Sequence, residues 1–347
     1  MKKALAFLVI AALAAGLVAA AGVPQKQDKQ PAQAKVFIPK EVKEPMTAGM
    51  AAREPRLDIP FTVFKHIYLP AQQAEQVILF LKAKNGDLGY APAAALQIAD
   101  APAAAEPKMT ARINLFLQFH KLENGQPTQL VKEVFIPAAL EAASSGYDPE
   151  AEAWYTFGYP LMPGDYLASL AVTSQDLKKI GIQYHEFSLP DPKTFTQSLD
   201  TTPVFFINEL AQEAQAEMTP ALHKGRFAYS VLRVTPNVDE VFKVGDVLDT
   251  FFFIFGVQPK DGGKYDIGIE FEVYEGETLA IKFAPGVFES PLISLPLQLK
   301  QTLLIKKGDE ERTETRDLPA GDYALVIRIE DKVSGLKGEK KVPFKVL

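Results

Sequence analysis

The feature that most constrains this chain is an internal repeat. Residues 160–190 align without a gap on residues 317–347, at an offset of 157 residues. The identical pairs are Leu161/Leu318, Gly164/Gly321, Asp165/Asp322, Tyr166/Tyr323, Gly181/Gly338 and Phe187/Phe344. Apolar residues alternate with polar ones in both copies, and a period of two is typical of half-buried β-strands. The sequence therefore predicts a duplicated β-domain, with copies at residues 55–192 and 200–347.

Each copy of the repeat reads as a turn followed by two strands. In the second copy the turn is Pro319–Asp322, where we expect Gly321 to supply a positive φ. Tyr323 then opens a strand whose odd-numbered residues face the core. A tyrosine directly after such a turn resembles the tyrosine corner of immunoglobulin-type sandwiches, whose hydroxyl bonds to backbone a few residues upstream. We therefore predict a structural role for Tyr166 and Tyr323.

Other segments extend the β prediction along the chain. Val77, Leu79 and Leu81 predict one strand, and residues 113–119, in which Ile113, Leu115, Leu117 and Phe119 alternate with Asn114, Phe116 and Gln118, predict another; turn residues bound these segments. The continuous apolar run Phe251–Phe255 predicts a strand buried on both faces, because an exposed run of this kind would promote aggregation. Helical signals are confined to residues 137–144 and 208–218. The predicted fold class is all-β, with two tandem immunoglobulin-like β-sandwich domains and minor short helices.

The N-terminus predicts export. Lys2 and Lys3 precede the apolar stretch Ala4–Val18, and the small residues Ala19–Ala21 follow. This order is typical of a secretory signal peptide at residues 1–21, cleaved near Gly22. An uncleaved membrane anchor is the alternative, since the stretch approaches the ~20 residues of a bilayer span. We expect no other membrane span, and a location in the periplasm or outside the cell.

Three further segments are predicted to lie outside the sheets. Residues 22–54 are rich in Pro, Lys, Gln and Ala, a linker composition. Residues 193–199 join the two domains. Residues 85–108 form a long insertion in the first domain, where the second turns within residues 259–264. A loop of this length is typically functional or disordered, so the insertion is either a partner-binding element or disordered.

Composition excludes several classes of protein. The chain has no cysteine, which excludes disulfides, zinc–thiolate sites, iron–sulfur clusters and cysteine nucleophiles. Exported eukaryotic β-proteins of this size usually carry disulfides, so their absence favours a bacterial source. The 43 acidic residues outnumber the 37 basic ones, and the basic residues are scattered. We therefore expect no nucleic-acid partner.

No constellation of residues predicts catalysis or a cofactor. The four histidines are not at metal-ligand spacing: His66, His120, His185 and His223. His185 aligns with the inward-facing Val342, which predicts a satisfied, semi-buried histidine. Ser144–Gly146 lacks the context of a serine nucleophile, and Asp261–Asp266 fits a hairpin turn better than a calcium loop. The sequence predicts no catalytic, cofactor-binding or metal-binding residue.

A family resemblance rests on two segments of the second copy. Residues 316–335, with the sequence RDLPAGDYALVIRIEDKVSG, and the strand Phe251–Pro259 resemble exported bacterial proteins. Those proteins carry immunoglobulin-like β-domains beside von Willebrand factor A-type or GWxTD modules. The defining Gly-Trp-x-Thr-Asp string is absent, and the only tryptophan is Trp154. The resemblance implies the fold and export, and it transfers no site.

These observations predict an exported, non-enzymatic binding or scaffold protein of the bacterial envelope or exterior. Its expected partner is another envelope or extracellular protein or a polysaccharide, and the sequence leaves the oligomeric state open. One alternative is a carbohydrate-binding accessory protein or hydrolase, in which Trp154–Tyr155 would stack on sugar rings. Another is a structural subunit of a surface assembly that uses strand addition at a sheet edge.

Overall fold

The structure is a computed structural model that describes residues 36–72, 74–93, 108–217, 219–307 and 310–347. The predicted signal peptide (1–21), the start of the predicted linker and residues 94–107 of the insertion lie outside the described residues. Within the described ranges the chain is all-β apart from one α-helix and two short 3-10 turns. No helix in these ranges has the length and apolar character needed to cross a bilayer.

The elements follow one another from a single helix into a long series of strands. In chain order they are α1 (Lys40–Met50), β1 (Arg56–Leu57), β2 (Thr62–Ala71), β3 (Ala74–Lys84), β4 (Ala91–Pro92), β5 (Lys108–Glu123), β6 (Gln126–Ala143), β7 (Glu152–Leu161), β8 (Gly164–Ser174), β9 (Ile180–Leu189), β10 (Asp200–Thr201), β11 (Phe205–Gln212), β12 (His223–Lys224), β13 (Phe227–Tyr229), β14 (Leu232–Pro236), β15 (Val241–Phe242), β16 (Val247–Phe255), β17 (Ile267–Glu275), β18 (Thr278–Lys282), β19 (Gly286–Phe288), β20 (Leu292–Gln298), β21 (Lys300–Lys307), β22 (Glu310–Asp317), β23 (Gly321–Asp331) and β24 (Lys337–Val346).

The described chain divides into two compact units. The first unit comprises residues 36–190 and Ala214–Val231, and the second comprises Asp191–Glu213 and Leu232–Leu347. This division differs from the predicted boundaries in two places. Residues 214–231 belong to the first unit because β12 pairs with β7 there, and residues 193–199 belong to the second unit, where Phe195 stacks on Phe255 at 5.4 Å.

The first unit consists of two sheets around one core. One sheet has the order β1-β9-β8-β5-β4, with β6 paired to the other side of β5, and the second has the order β12-β7-β3-β2. Alternate residues of β3, such as Val77 and Leu79, meet alternate residues of β5, such as Leu115 and Leu117, in one buried cluster. Both segments are strands, as predicted, but β3 is buried on both faces, since Ile78 and Phe80 are as buried as Val77 and Leu79.

Helix α1 corrects the predicted linker, since part of residues 22–54 is folded. Val42, Met46 and Met50 recur every four residues and are buried, so one helical stripe is apolar. Val42 and Met46 pack with Ala171 and Ile182 on the face of the β5–β8–β9 sheet that is turned away from the core. We call this side of the sheet the outer face.

The second unit repeats the arrangement. Around β16 lie β10, β11 and β20, and β14 extends this sheet beside β11. The facing sheet has the order β15-β24-β23-β17-β18, with β19 paired to β17. Residues of β16 and β23, such as Phe252 and Ile327, share one buried cluster. The pair β21–β22 forms a separate two-stranded sheet.

Strand β16 confirms the prediction for the run Phe251–Phe255. It is paired on both sides, with β11 at one edge and β20 at the other. Phe251, Phe252 and Ile254 have no exposed surface, and Phe255 is 3% exposed. Successive side chains of a strand point to opposite faces, so burial of neighbouring residues shows that both faces of β16 are covered.

The repeated tyrosines occupy equivalent environments. Tyr166 donates its hydroxyl to the carbonyl of Met162 at 2.6 Å, and Tyr323 donates to the carbonyl of Pro319 at 3.0 Å. Each ring stacks on a phenylalanine of the next strand, Phe187 at 5.5 Å and Phe344 at 5.7 Å. Both rings are buried. The predicted hydroxyl-to-backbone bond is confirmed in both copies.

Three local predictions are wrong. Residues 137–144 lie mostly in β6 and residues 208–212 in β11, rather than in helices. The glycine of the repeated turn has a positive φ only in the first copy, where Gly164 has φ +136°. At Gly321 a Cβ atom would lie 3.1 Å from the Tyr323 ring, so close approach of that ring explains the glycine there.

Removal of either tyrosine hydroxyl should lower the free energy of unfolding by a measurable amount. Tyr166→Phe leaves the Met162 carbonyl unpaired and should lower the free energy of unfolding of the first unit by about 1–2 kcal/mol. Tyr166→Ala should cost about 3–5 kcal/mol because it also empties a buried site. Urea unfolding followed by the fluorescence of Trp154, which lies in the first unit, reports the change.

Tyr159→Phe is the matched control, because the described residues include no hydrogen-bond partner for the Tyr159 hydroxyl. It should change stability by less than ~0.5 kcal/mol. Tyr323→Phe should affect the second unit in the same way as Tyr166→Phe affects the first, measured as faster amide exchange in β24. An unfolding midpoint that does not move for Tyr166→Phe would show that the hydroxyl bond does not stabilise the turn.

Candidate functional site

The outer face of β17, β23 and β24 in the second unit carries a row of charges. Glu270 of β17 lies opposite Arg328 of β23, which lies opposite Glu339 of β24. We call this set of three neighbours the central outer row. Arg328 donates Nε to Glu339 Oε2 at 2.9 Å. The row runs directly across the three strands, so it places both signs of charge in the middle of an open sheet face.

Glu272 is the anchor of this charged face. Its side chain is only 5% exposed, and it accepts hydrogen bonds from Lys282 Nζ at 2.9 Å, Tyr274 Oη at 2.8 Å and Arg328 Nη1. The hydrogen bonds from Lys282, Arg328 and Tyr274 hold the pKa of Glu272 at about 2, well below its ordinary value. The same contact raises the pKa of Arg328. Glu272 thus fixes the guanidinium that crosses the sheet face.

A trough of about 710 Å³ lies over this row. Its walls come from β17, β19, β23 and β24, and include Glu270, Val287, Arg328 and Glu339. The Lys332 side chain passes close over Gly268, where a Cβ atom would lie 3.2 Å from Lys332 Cε. Val287 at the rim is 62% exposed. The second unit therefore presents a charged depression with an apolar rim residue.

The same position in the first unit is occupied by the chain itself. The central outer row there is Phe116, Ala171 and Ile182, which lie opposite one another on β5, β8 and β9. These residues are at most 3% exposed because helix α1 packs on them through Val42 and Met46. The first unit has an apolar row under a helix, whereas the second unit has Glu270, Arg328 and Glu339 under a trough that no described segment fills.

Polar contacts hold the helix on the first unit. Tyr184 on β9 donates its hydroxyl to the Met46 carbonyl at 2.7 Å, and Lys43 donates to Glu133 of β6 at 2.9 Å. Arg53, just after the helix, donates to Glu186 of β9 at 2.8 Å. The helix is therefore attached to the sheet at both ends of its apolar stripe, and the outer face of this unit is built to hold a segment of polypeptide.

The aromatic pair Trp154–Tyr155 does not form the exposed stacking platform expected for a sugar-binding protein. Tyr155 is 3% exposed, and its hydroxyl lies 3.3 Å from that of Tyr90. Trp154 packs against the buried Phe80 at 5.9 Å between ring centroids. The prediction of an exposed pair is wrong because β7 directs Tyr155 into the core.

Two histidines that are far apart in the sequence meet in the first unit. His66 Nδ1 lies 3.0 Å from His185 Nε2, and the two rings are edge to face. Burial lowers the pKa of His66, and burial together with His66 lowers the pKa of His185 to about 4. One neutral ring then donates to the other. The prediction of a satisfied, semi-buried His185 is confirmed, but the sequence did not reveal its partner.

The acidic and histidine side chains were also compared with the geometry of a metal site. Among the residues that the structure describes, no three His, Asp or Glu side chains are placed to hold a metal ion. Residues 261–266 form a turn in which the Lys260 amide donates to the Lys264 carbonyl at 2.6 Å and Asp266 pairs with Lys260. Asp266 is thus engaged within the turn, but the predicted hairpin is wrong, because the flanking strands β16 and β17 lie in different sheets and do not pair with each other.

Comparisons with known proteins add little to this geometry. No family model matches the chain, and a search of curated proteins also gave no match. Among solved structures, a mutant Salmonella alpha-2-macroglobulin is similar to it with a TM-score of 0.16 and 11% identity. The alignment covers 90% of this chain, which spans 17% of the length of that one. A TM-score of 0.16 does not indicate a relationship in fold or function.

The carboxylate of Glu272 should make the second unit sensitive to acid. Its folded pKa of about 2 lies below its ordinary value, so its contribution to stability is present above pH ~5 and is lost as pH falls toward 2. Glu272→Gln should lower stability at pH 7 by about 1–3 kcal/mol. It should also flatten the dependence of the urea midpoint on pH across this window.

Glu277→Gln serves as the control, since Glu277 is exposed in the turn after β17. This change should alter the free energy of unfolding by less than ~0.5 kcal/mol at any pH in the window. Equal acid sensitivity in wild type and Glu272→Gln would mean that another carboxylate controls the second unit.

Proposed function

We propose that this chain is an exported binding or scaffold protein of the bacterial envelope or exterior, built from two immunoglobulin-like β-sandwiches in tandem. Residues 1–21 act as the signal peptide. The first sandwich is closed on its outer face by helix α1, and the second binds a segment of a partner polypeptide in the trough. Two paired sheets around each core and the two tyrosine turns support the immunoglobulin-like assignment.

The single observation that carries this proposal is the difference between the two outer faces. In the first unit helix α1 packs on the central outer row through Val42 and Met46. In the second unit the equivalent row lies under a trough of about 710 Å³, and no described segment fills it. Duplicated domains keep their geometry when their surfaces change, so a face that binds polypeptide in one copy supports the same use in the other.

The charges of the trough indicate the chemistry of its partner. Arg328 is paired with Glu272 and Glu339, and Lys337 lies 3.4 Å from Glu330. Glu270 and Lys332 line the trough without an ion-pair partner among the described residues. A bound segment should therefore present a basic group to Glu270 and an acidic group to Lys332. Such complementarity contributes specificity more than affinity.

Site-specific photo-crosslinking in cells that express the full chain tests this proposal. A photoreactive amino acid at Val287, on the rim of the trough, should give a crosslinked product with another protein. Leu279 on β18 is the matched control, because it is 46% exposed on the same unit and does not line the trough. It should give no such product.

Charge reversal then tests the chemistry of the trough. Glu270→Lys, which leaves the Arg328–Glu339 ion pair in place, should reduce the Val287 product at least tenfold, while the unfolding midpoint falls only slightly. Equal products from Val287 and Leu279, or a Val287 product that survives the reversal, would contradict binding in the trough.

A further inference from the structure

Helix α1 has little stability of its own. It has eleven residues, and isolated helices shorter than about 12 residues are marginal in water. Pro45 lies inside it, where proline cannot donate to the carbonyl of Glu41, and Gly49 follows four residues later. Pro39 at the N-cap supplies no side-chain hydrogen bond. The helix therefore depends on its contacts with the sheet.

Two of the polar contacts that attach α1 to the sheet are open to water. In the ion pair of Lys43 with Glu133 the lysine side chain is 47% exposed, and in the pair of Arg53 with Glu186 the glutamate side chain is 52% exposed. Ion pairs in contact with water contribute little to stability, because solvent screens them. The buried apolar stripe of the helix therefore provides most of the attachment.

Three polar groups are buried on the outer face of the same sheet. Gln118 of β5 and Ser169 of β8 lie opposite each other, and His120 is two residues further along β5. Gln118 Oε1, His120 Nδ1 and Ser169 Oγ have no hydrogen-bond partner among the described residues. Each of the three residues is at most 9% exposed. Burial of a polar atom without a hydrogen bond costs free energy, and this cost disappears when the atom meets water.

The neighbours of these polar groups show that the helix covers them. Ser169 lies opposite Tyr184 of β9, whose hydroxyl donates to the helix backbone at 2.7 Å. Gln118 donates Nε2 to Glu133 Oε1 at 2.9 Å, and Glu133 also accepts a hydrogen bond from Lys43 of the helix. Both ends of this row contact α1, so the helix lies over Gln118 and Ser169. Water can reach the two side chains when the helix lifts.

The core between the two sheets of the first unit does not include α1. Its buried residues lie within residues 59–189, whereas Val42 and Met46 belong to a separate cluster on the outer face. Strand β5, in the middle of the covered sheet, is hydrogen-bonded on both sides, to β6 and to β8. Both sheets therefore keep their core and their strand pairing if the helix leaves.

We propose that α1 is a removable cover, which leaves and returns to the outer face of the first unit while both sheets stay folded. In the open form the helix melts, water reaches the three polar groups, and the apolar row of Phe116, Ala171 and Ile182 is exposed. Segments with few buried contacts open in this way at free energies below that of global unfolding. The cover belongs to the first unit alone, and its opening does not depend on the trough.

Thiol labelling of the full chain at increasing urea concentrations measures the opening. Ile182→Cys places a thiol under α1, and Leu170→Cys places one between the two sheets, in a chain without other cysteines. Below the unfolding transition, labelling at position 182 should be at least tenfold faster than at 170 and depend only weakly on urea. Labelling at 170 should rise steeply with urea, because it requires exposure of the whole core.

Pro45→Ala, added to Ile182→Cys, tests whether the weakness of the helix controls the opening. It restores the N–H that can donate to the Glu41 carbonyl, so labelling at position 182 should become at least tenfold slower. Pro55→Ala is the matched control, because Pro55 is exposed and lies beyond the helix. It should change the labelling rate less than twofold.

Ser169→Ala, also added to Ile182→Cys, tests the buried polar groups by the sign of its effect. Because the hydroxyl has no partner in the closed form and meets water in the open form, its removal should slow labelling at least threefold. Faster labelling would show that the hydroxyl stabilises the closed form instead. Circular dichroism and the unfolding midpoint verify that each variant folds.

Hydrogen exchange of the unmodified chain gives the same comparison without a substitution. The amides of residues 46–50 should exchange at least tenfold faster than those of Leu115 and Leu170, with a weak dependence on urea.

Three outcomes would overturn the proposal. Labelling at position 182 and exchange in α1 that rise with urea as steeply as in the core would show that the helix leaves only on global unfolding. Labelling at 182 as fast as at an exposed thiol, such as that of Glu339→Cys, would show that the helix does not close. Equal rates for Pro45→Ala and Pro55→Ala would show that melting of the helix does not limit the opening.

Discussion

The structure depends on the register of three antiparallel strands, which is set twice by a buried tyrosine. In both units this tyrosine follows a turn, donates its hydroxyl to the carbonyl four residues earlier and stacks on a phenylalanine of the next strand. The turn and the adjacent strand are thereby fixed relative to each other. Because side chains alternate along a strand, fixing one inward residue decides which residues of all three strands reach the outer face.

This shared register explains how one sequence repeat produces two different surfaces. Ala171 and Arg328 occupy the same position of the repeat, as do Ile182 and Glu339. In the first unit the apolar version is covered by α1, and burial of Val42 and Met46 stabilises the contact by about 1.5–3 kcal/mol for each side chain. In the second unit a helix with that apolar stripe would desolvate Arg328 and Glu339 without replacing their hydrogen bonds. The inward residues preserve the fold, and the outward residues distinguish the two surfaces.

Much of the core could be predicted from the sequence because it depends on local pattern. The tyrosine turns and the doubly buried strand at Phe251–Phe255 follow from period, turn residues and hydrophobicity. The helix α1 was missed since only Val42, Met46 and Met50 mark its apolar stripe, and Pro45 with its lysines and glutamates resembles a linker. Residues 137–144 were predicted as helix because alanine favours helices, but pairing with β5 determines their structure.

The candidate sites could not be predicted from the sequence, for a different reason. The trough and the pair of His66 and His185 each depend on which strands become neighbours. The two histidines are 119 residues apart, and neither has a local signature of the contact. The charged row of Glu270, Arg328 and Glu339 spans three strands, so its members are also distant in the chain. Only the sheet order brings such residues together.

Equivalent outer faces of the two units differ in the described structure, because helix α1 covers the first and no described segment covers the second. Because the chain has no cysteine, single cysteines can report the exposure of each face. Ile182→Cys and Glu339→Cys place a thiol at the same position of the two repeats. We expect the thiol at position 339 to react with a soluble disulfide reagent at least a hundredfold faster than the one at 182. Adding Met46→Asp, which disrupts the packing of α1, should accelerate labelling at 182 alone. Equal labelling rates at the two positions without that change would show that the two outer faces are equally accessible.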